Sequence, residues 1–276
     1  MKSEIDKDQQ QVVLITGASS GIGKATAELF VKHGYRIFGT SRREITGKNG
    51  VEMLKLDVRS DDSVRHCIEE VLEKAGKLDI LINNAGIMHQ GFAEETTQEE
   101  AHEVFETNFF GVIRMINAVL PHMRSRKQGR IINISSLAAW IGEPGDSFYS
   151  ASKHALTGYT EALRHEVWHL NIHVSLIEPG EFQTNVLPSQ NVHENLIADY
   201  DLSRQAVYKT FQKALQKGDD AGKAARLILK VACARNPHLR YGVGRGANWI
   251  PYAKVLLPQR LFDYLIRKGF GLNKIF

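Results

Sequence analysis

A tyrosine and a lysine stand four residues apart in Tyr149-Ser150-Ala151-Ser152-Lys153. On a helix that spacing puts both side chains on one face, one turn from each other. An ammonium beside a phenol favours the phenolate, so the pair predicts a tyrosine whose pKa falls from about 10 towards working pH. Such a phenol is suited to general acid/base work on alcohols and carbonyls. An exposed lysine next to a half-buried tyrosine would give the same spacing, and only the rest of the chain separates the two readings.

A glycine-rich turn is the second candidate. Thr16-Gly17-Ala18-Ser19-Ser20-Gly21-Ile22-Gly23 follows the apolar run Val12–Ile15 and opens a helical pattern, Ile22 to His33. Its form is Gly-x-x-x-Gly-x-Gly. Glycines there let the backbone approach a pyrophosphate, and the helix start offers it N–H groups and partial positive charge. Gly17, Ser19, Ser20, Gly21, Ile22 and Gly23 are therefore candidate dinucleotide-binding positions. The second strand runs into Gly39-Thr40-Ser41-Arg42-Arg43. No acidic residue is there to grip a ribose 2′-hydroxyl, whereas Ser41, Arg42 and Arg43 offer a hydroxyl and two guanidinium forks suited to a 2′-phosphate. NADP(H) is thus expected over NAD(H). Lys24 is either a further cation near the turn or a solvent-facing side chain. Asp57 and Val58, after the third strand, are placed to meet the adenine, with a helix N-cap as the other reading of Asp57.

The elements that must hold these residues alternate along the chain. Strands are expected at Val12–Ile15, Tyr35–Thr40, Val51–Leu56, Leu78–Ile82, Arg130–Ile134, Ile172–Ile177 and Leu239–Val243. Helices are expected at Ile22–His33, Asp61–Ala75, Gln98–Met123, Phe148–Leu170 and Ala221–Ala234. Strands alternating with helices imply right-handed crossovers and an α/β fold with a doubly wound parallel sheet of Rossmann type. The expected organisation is a polar N-terminal extension (1–11), one domain (12–244) and a C-terminal extension (245–276). Within the domain, an insertion over 180–217 with weak helical signals forms a substrate lid above the strand C-terminal ends, where open sheets bind ligands.

Composition agrees: 276 residues, 43% hydrophobic and 24% charged, suffice for one large α/β domain with a buried core, or for two small ones. The net charge of +4 is not concentrated, and Arg124-Ser125-Arg126-Lys127 reads as a solvated loop rather than a nucleic-acid patch. Cys67 and Cys233 read as free thiols of a reducing compartment, with no metal-ligand spacing. The polar start of the chain lacks the apolar core of a secretory signal, and no apolar run reaches the ~18 residues of a membrane span. A cytoplasmic location is expected. The tail holds an amphipathic stretch, Leu256 to Ile266, followed by Arg267 and Lys268. Packing on the domain or on a sister subunit is its default reading, and weak membrane-surface contact the alternative.

With Thr16–Gly23, Asn83-Asn84-Ala85-Gly86, Ser136 and Tyr149-x-x-x-Lys153 in this order, the chain resembles the short-chain dehydrogenase/reductase family from about Val12 to Val243. The resemblance implies a tetrad of Asn108, Ser136, Tyr149 and Lys153. Asn108 would hold a water in a proton relay with Lys153, and Tyr149 would be the acid/base. Lys153 would lower the phenol's pKa and hold the nicotinamide ribose. Ser135 and Ser136 are adjacent, so they point to opposite sides of a strand; the family spacing selects Ser136. Asn84, Ala85 and Gly86 would shape the cofactor cleft, Asp79 would brace the sheet, and Pro179, Gly180 and Thr184 would line the nicotinamide. Family members are mostly dimers or tetramers, so a homodimer or homotetramer is expected.

Met88, His89, Leu137, Trp140, Phe148, Phe182, Leu187 and the Pro188–Lys217 segment are candidate pocket residues, apolar enough for a bulky hydrophobic carbonyl or secondary alcohol. The long insertion and tail resemble the branch acting on hydroxysteroids and retinoids. A non-catalytic NADP(H)-sensing protein on the same fold is the competing reading, and the intact tetrad counts against it.

Overall fold

The computed structural model describes residues 10–182 and 196–275. Seven strands form one sheet: β1 (Val12–Ile15), β2 (Arg36–Ser41), β3 (Val51–Lys55), β4 (Ile80–Asn83), β5 (Gly129–Ile134), β6 (Ile172–Pro179) and β7 (Arg240–Val243). Their order is β3-β2-β1-β4-β5-β6-β7, and every neighbouring pair is parallel. Connections run outward from β1 in one direction and from β4 in the other. The crevice above the ends of these two strands is the switch point of the sheet.

Strand alternation divides the core. Val12 and Leu14 face the layer of α2 (Asp61–Ala75), α4 (Gly111–Arg126) and α5 (Ser147–Glu166), against Val64, Val71, Met115, Ile116 and Leu156. Val13 and Ile15 face α1 (Gly21–Lys32) and α7 (Ala221–Cys233), against Ala27, Phe30, Ala224 and Ile228. With both faces covered, the strands must be apolar throughout, which is why β1 reads as a continuous run rather than an alternating one. Asp79 braces the sheet as expected: Val12 N–H donates to its Oδ2 at 2.9 Å, and Arg126 pairs with its Oδ1 at 2.8 Å. Arg126 is thus no loop residue. The Arg124–Arg126 segment is the last turn of α4, where cations suit the dipole, and Lys127 ends the helix in a left-handed conformation at φ 48°.

Three other expectations need correcting. The long helix over Gln98–Met123 is interrupted. After α3 (Gln98–Phe105), which opens on a Thr97/Glu100 capping box, Glu106–Phe110 form a π-helical turn in which Gly111 N–H bonds Glu106 O. Such a bulge carries no periodicity signal strong enough to read from sequence. The helix expected to reach Leu170 ends at Glu166, followed by a tighter turn over Trp168–Leu170 and Asn171 at φ 55°. Third, the insertion contains a regular helix, α6 (Asp201–Lys217), whose only fully buried residue is Val207. It is held instead by charge: Arg204 pairs with the buried carboxylate of Glu95, which also accepts from Ile197 N–H at 2.9 Å.

The tail forms α8 (Ile250–Leu256) and α9 (Gln259–Gly269). It folds back on its own domain, with Phe262 buried against Leu137 and Ile141. Both thiols are free; Cys67 is buried and pushed up to about 12 by burial, and Cys233 is exposed. Among the described residues no helix is long and apolar enough to cross a membrane. Because Glu95 is buried, Arg204→Ala removes the cation facing it and should cost on the order of 3 kcal/mol. The denaturant midpoint reads this directly, and an unchanged midpoint would show that α6 is held by something else.

Candidate active site

One cleft of about 930 Å³ runs across the switch point, from Arg42 and Arg43 past Ser136 and Tyr149 to α6 and the C-terminal helices. At one end the phosphate turn is stitched to β4. Thr16 Oγ1 accepts from the N–H groups of Asn84 and Ala85, both at 2.9 Å. Asn84 Nδ2 donates back to Thr16 O at 2.9 Å and Gly17 O at 3.0 Å. Gly17 sits at φ +66°, and a Cβ on Gly23 would lie 2.4 Å from both Gly17 O and Asn84 Nδ2. Gly23 therefore belongs to the packing under the turn and does not line the cleft, whereas Gly17, Ser19, Ser20, Gly21 and Ile22 do. No side chain caps α1 and no acid stands in its first turn, leaving its N–H groups for an anion. These features fit a dinucleotide pyrophosphate.

Ser41, Arg42, Arg43, Asp57 and Val58 line this end of the cleft together with Arg59, which sequence reasoning passed over. Arg59 grips Asp57, its Nη2 lying 2.8 Å from Oδ2, and reaches Glu103 at 3.1 Å. The hydrogen bond from Arg59 is the main reason the Asp57 carboxyl lies below its ordinary pKa. Asp57 is not the helix cap; Ser60 is. Lys24 is exposed and off the cleft.

At the other end, Ser136 follows β5, and its Oγ accepts from Ala138 N–H at 3.1 Å. It stands close to the half-buried Tyr149 in the first turn of α5, near enough to pull the phenol's pKa down. Ser135 also borders the cleft, but its N–H is on Ile177 O at 2.7 Å and its buried Oγ has no hydrogen-bond partner among the described residues. Lys153 Nζ donates to Ile134 O at 3.0 Å and lies 5.6 Å from the Tyr149 ring centroid. The expected depression of the phenol is not what this geometry produces. Burial pushes Tyr149 well above its ordinary value, the Ser136 hydroxyl pulls the other way, and Glu143 and Asp146 push it further up. Burial brings Lys153 down to about 8.

Asn108 sits in the π-helical turn, fully buried and off the cleft wall. Its side chain clamps the backbone of Ile87, accepting from N–H at 2.9 Å and donating to O at 2.8 Å, with a third contact to Ser152 Oγ at 3.3 Å. Asn84, Ala85, Gly86, Pro179 and Gly180 line the cleft; Thr184 and Leu187 lie outside the described residues. Of the pocket candidates, Met88, Leu137 and Phe182 line it. His89 pairs with Glu103 at 3.2 Å, and Trp140 donates to Glu178 Oε2 at 2.8 Å beneath the Arg240 guanidinium, so both are spent on scaffold contacts. Phe148 is also off the wall. The far wall comes from Phe211 and Leu215 of α6 and from Trp249, Ile250, Phe262 and Phe270 of the tail.

A parallel sheet with a glycine turn at its switch point, and a serine–tyrosine–lysine group beside it, defines a nucleotide-binding oxidoreductase architecture. Residues 11–195 match the short chain dehydrogenase family model, and the chain belongs to that family. It is 40% identical over 268 residues to a 3-ketodihydrosphingosine reductase of Bacteroides thetaiotaomicron, covering 96% of this chain and 100% of the relative. A short-chain dehydrogenase of Streptomyces avermitilis superimposes with a TM-score of 0.80 at 32% identity, over 97% of each chain. A Burkholderia phymatum family structure in complex with NAD gives a TM-score of 0.77 at 25% identity, over 95% of this chain and 97% of that one. The chain is an oxidoreductase of CH–OH and carbonyl groups that uses a nicotinamide cofactor.

The depressed Lys153 has a measurable consequence. Between about 8 and the ordinary lysine value of 10.5, the unfolded chain binds the proton that the folded one has released, so stability rises with pH there. The unmodified protein should gain on the order of 3 kcal/mol across that window relative to Lys153→Met. Denaturant titrations of both proteins at pH 8 and pH 10 read the difference; parallel curves would place the ammonium in water.

Proposed function

We propose that this chain is an NADP(H)-preferring reductase of ketones carried on long apolar chains, of the 3-ketodihydrosphingosine kind. The observation that carries this reading is the continuity of the cleft: it leads from the two cleft-lining arginines, past Ser136 and Tyr149, into a chamber walled by apolar side chains of α6, α8 and α9. A chamber of that lining suits an alkyl chain. The name of the Bacteroides thetaiotaomicron relative, aligned over its whole length, supports the same substrate class.

A bound nicotinamide would supply the hydride for the carbonyl carbon. Ser136 and Tyr149 hydrogen-bond the carbonyl oxygen, and Tyr149 hands it the phenolic proton. Burial and the carboxyls of Glu143 and Asp146 keep that phenol protonated at neutral pH, the state a proton donor needs. Lys153 holds the nicotinamide ribose, and Asn108 acts by fixing Ile87, on the strand exit that carries Ala85 and Gly86. Arg42 and Arg43, exposed and lining the cleft, hold the 2′-phosphate.

Loss of NADPH absorbance with 3-ketodihydrosphingosine, compared with steroid ketones and retinal, tests the assignment; turnover confined to the steroid or retinoid would replace the substrate class. Tyr149→Phe should lower kcat by about 1,000-fold or more while NADPH still binds, and retained turnover would remove Tyr149 from the chemistry. Replacing Arg42 and Arg43 together by alanine should raise KM for NADPH by about ten-fold or more and leave that for NADH nearly unchanged. Equal effects on the two cofactors would argue against 2′-phosphate recognition.

A further inference from the structure

The outward side of the C-terminal helices carries apolar residues that the domain leaves uncovered. On α9, Phe262 and Ile266 pack inward against Leu137 and Ile141. Leu261, Tyr264 and Leu265 take a second side of the helix and are exposed. Arg260, Asp263 and Arg267 share a third, since residues three and four apart lie together on a helix. In α8 the division repeats: Ile250 and Ala253 line the cleft, while Tyr252, Val255 and Leu256 are 68%, 73% and 78% exposed. A helix that serves only its own core needs one apolar stripe, and these two carry a second.

Positive charge gathers on the same segment. From Arg245 to Phe276 six lysines and arginines stand against one acid, Asp263, an excess larger than the whole chain's net +4. They are spaced out rather than run together, so no basic block marks them in the sequence. Arg260, Arg267 and Lys268 are exposed, and no carboxylate pairs with them among the described residues. The apolar surface also joins the cleft, because Trp249 (61% exposed) and the exposed Leu265 line the chamber as well. A second copy of the chain, paired about a two-fold axis, would bring these cations against their own duplicates. An anionic bilayer instead takes the apolar side chains and the cations together, and tryptophan and tyrosine favour its headgroup level.

We propose that the outward face of α8 and α9 docks on an anionic lipid surface and turns the mouth of the chamber toward it. A long-chain ketone then passes from the bilayer into the cleft, past Trp249 and Leu265, without crossing water. Docking stands without the reductase reading; delivery of the substrate rests on it. Each exposed apolar side chain adds area removed from water, and each cation adds attraction to the headgroups.

Co-sedimentation with lipid vesicles measures docking without requiring turnover. Vesicles of phosphatidylcholine mixed with phosphatidylglycerol should bind the unmodified protein at least about ten-fold more tightly than phosphatidylcholine alone. Val255→Asp combined with Leu256→Asp should weaken binding to the mixed vesicles by about ten-fold or more. Arg260→Gln, Arg267→Gln and Lys268→Gln together should bring the two kinds of vesicle to within about three-fold of each other. All five positions lie off the cleft, so an unchanged thermal midpoint should report an intact fold in both variants. No binding to the mixed vesicles, or binding that both variants keep, overturns the proposal. A solution dimer that the Val255 and Leu256 changes dissolve also overturns it, by giving the face to a second copy. Vesicle binding without reduction of 3-ketodihydrosphingosine leaves docking in place and removes the substrate reading. Reduction of that ketone without vesicle binding removes docking alone.

Discussion

Everything in the cleft depends on how closely β1 and β4 can be sewn together where the sheet reverses direction. Thr16 and Asn84 exchange hydrogen bonds across the two strand ends, and Gly17 and Gly23 provide the room for it. A side chain at Gly23 would have to occupy space already filled by Asn84 Nδ2 and Gly17 O. The turn is therefore locked by contact with the neighbouring strand rather than by its own conformation, and a bare helix N-terminus faces the crevice. From that junction the arginine-lined end of the cleft lies along β2 and the end with Ser136 and Tyr149 along β5.

Electrostatics near Tyr149 run opposite to the simple pairing of phenol and ammonium. Lys153 is turned to a backbone carbonyl at the end of β5, and the acids that approach the phenol come from the loop before α5 and its N-cap position. A buried phenol among acids holds its proton; a buried amine loosens its own. Within one helical turn the protein thus keeps a weak acid protonated and a strong cation close to release, a combination that favours donation from the tyrosine.

The parts of this arrangement that follow local rules were legible from the residues. Alternating apolar segments located all seven strands, the glycine spacing located the turn, and Asp79 did brace the sheet. Asn84 lines the cleft as read, but the commitment of its amide to the phosphate turn was not legible, because nothing local signals a contact 68 residues away. The π-helical turn around Asn108 left no mark in periodicity. Helix α6 was hidden by its polarity, since it buries only Val207 and is anchored by Arg204 on Glu95. Trp140 and His89 looked like pocket residues by type, yet Glu178 and Glu103 claim their polar atoms. Arg59 and Glu143 carry no motif at all and become visible only when β3, α5 and the cleft are in one place.

The far wall of the cleft is supplied by α6, α8 and α9, while the groups that would handle hydride and proton sit on the sheet and α5. The two sets are distant in sequence and face each other across the cleft. A lineage can therefore lengthen, shorten or repack its last thirty or so residues and alter how long a molecule fits, while the reacting groups stay where they are. Reach and reactivity are inherited as separate traits, a division of labour that lets one scaffold drift among substrates of different length without relearning its chemistry.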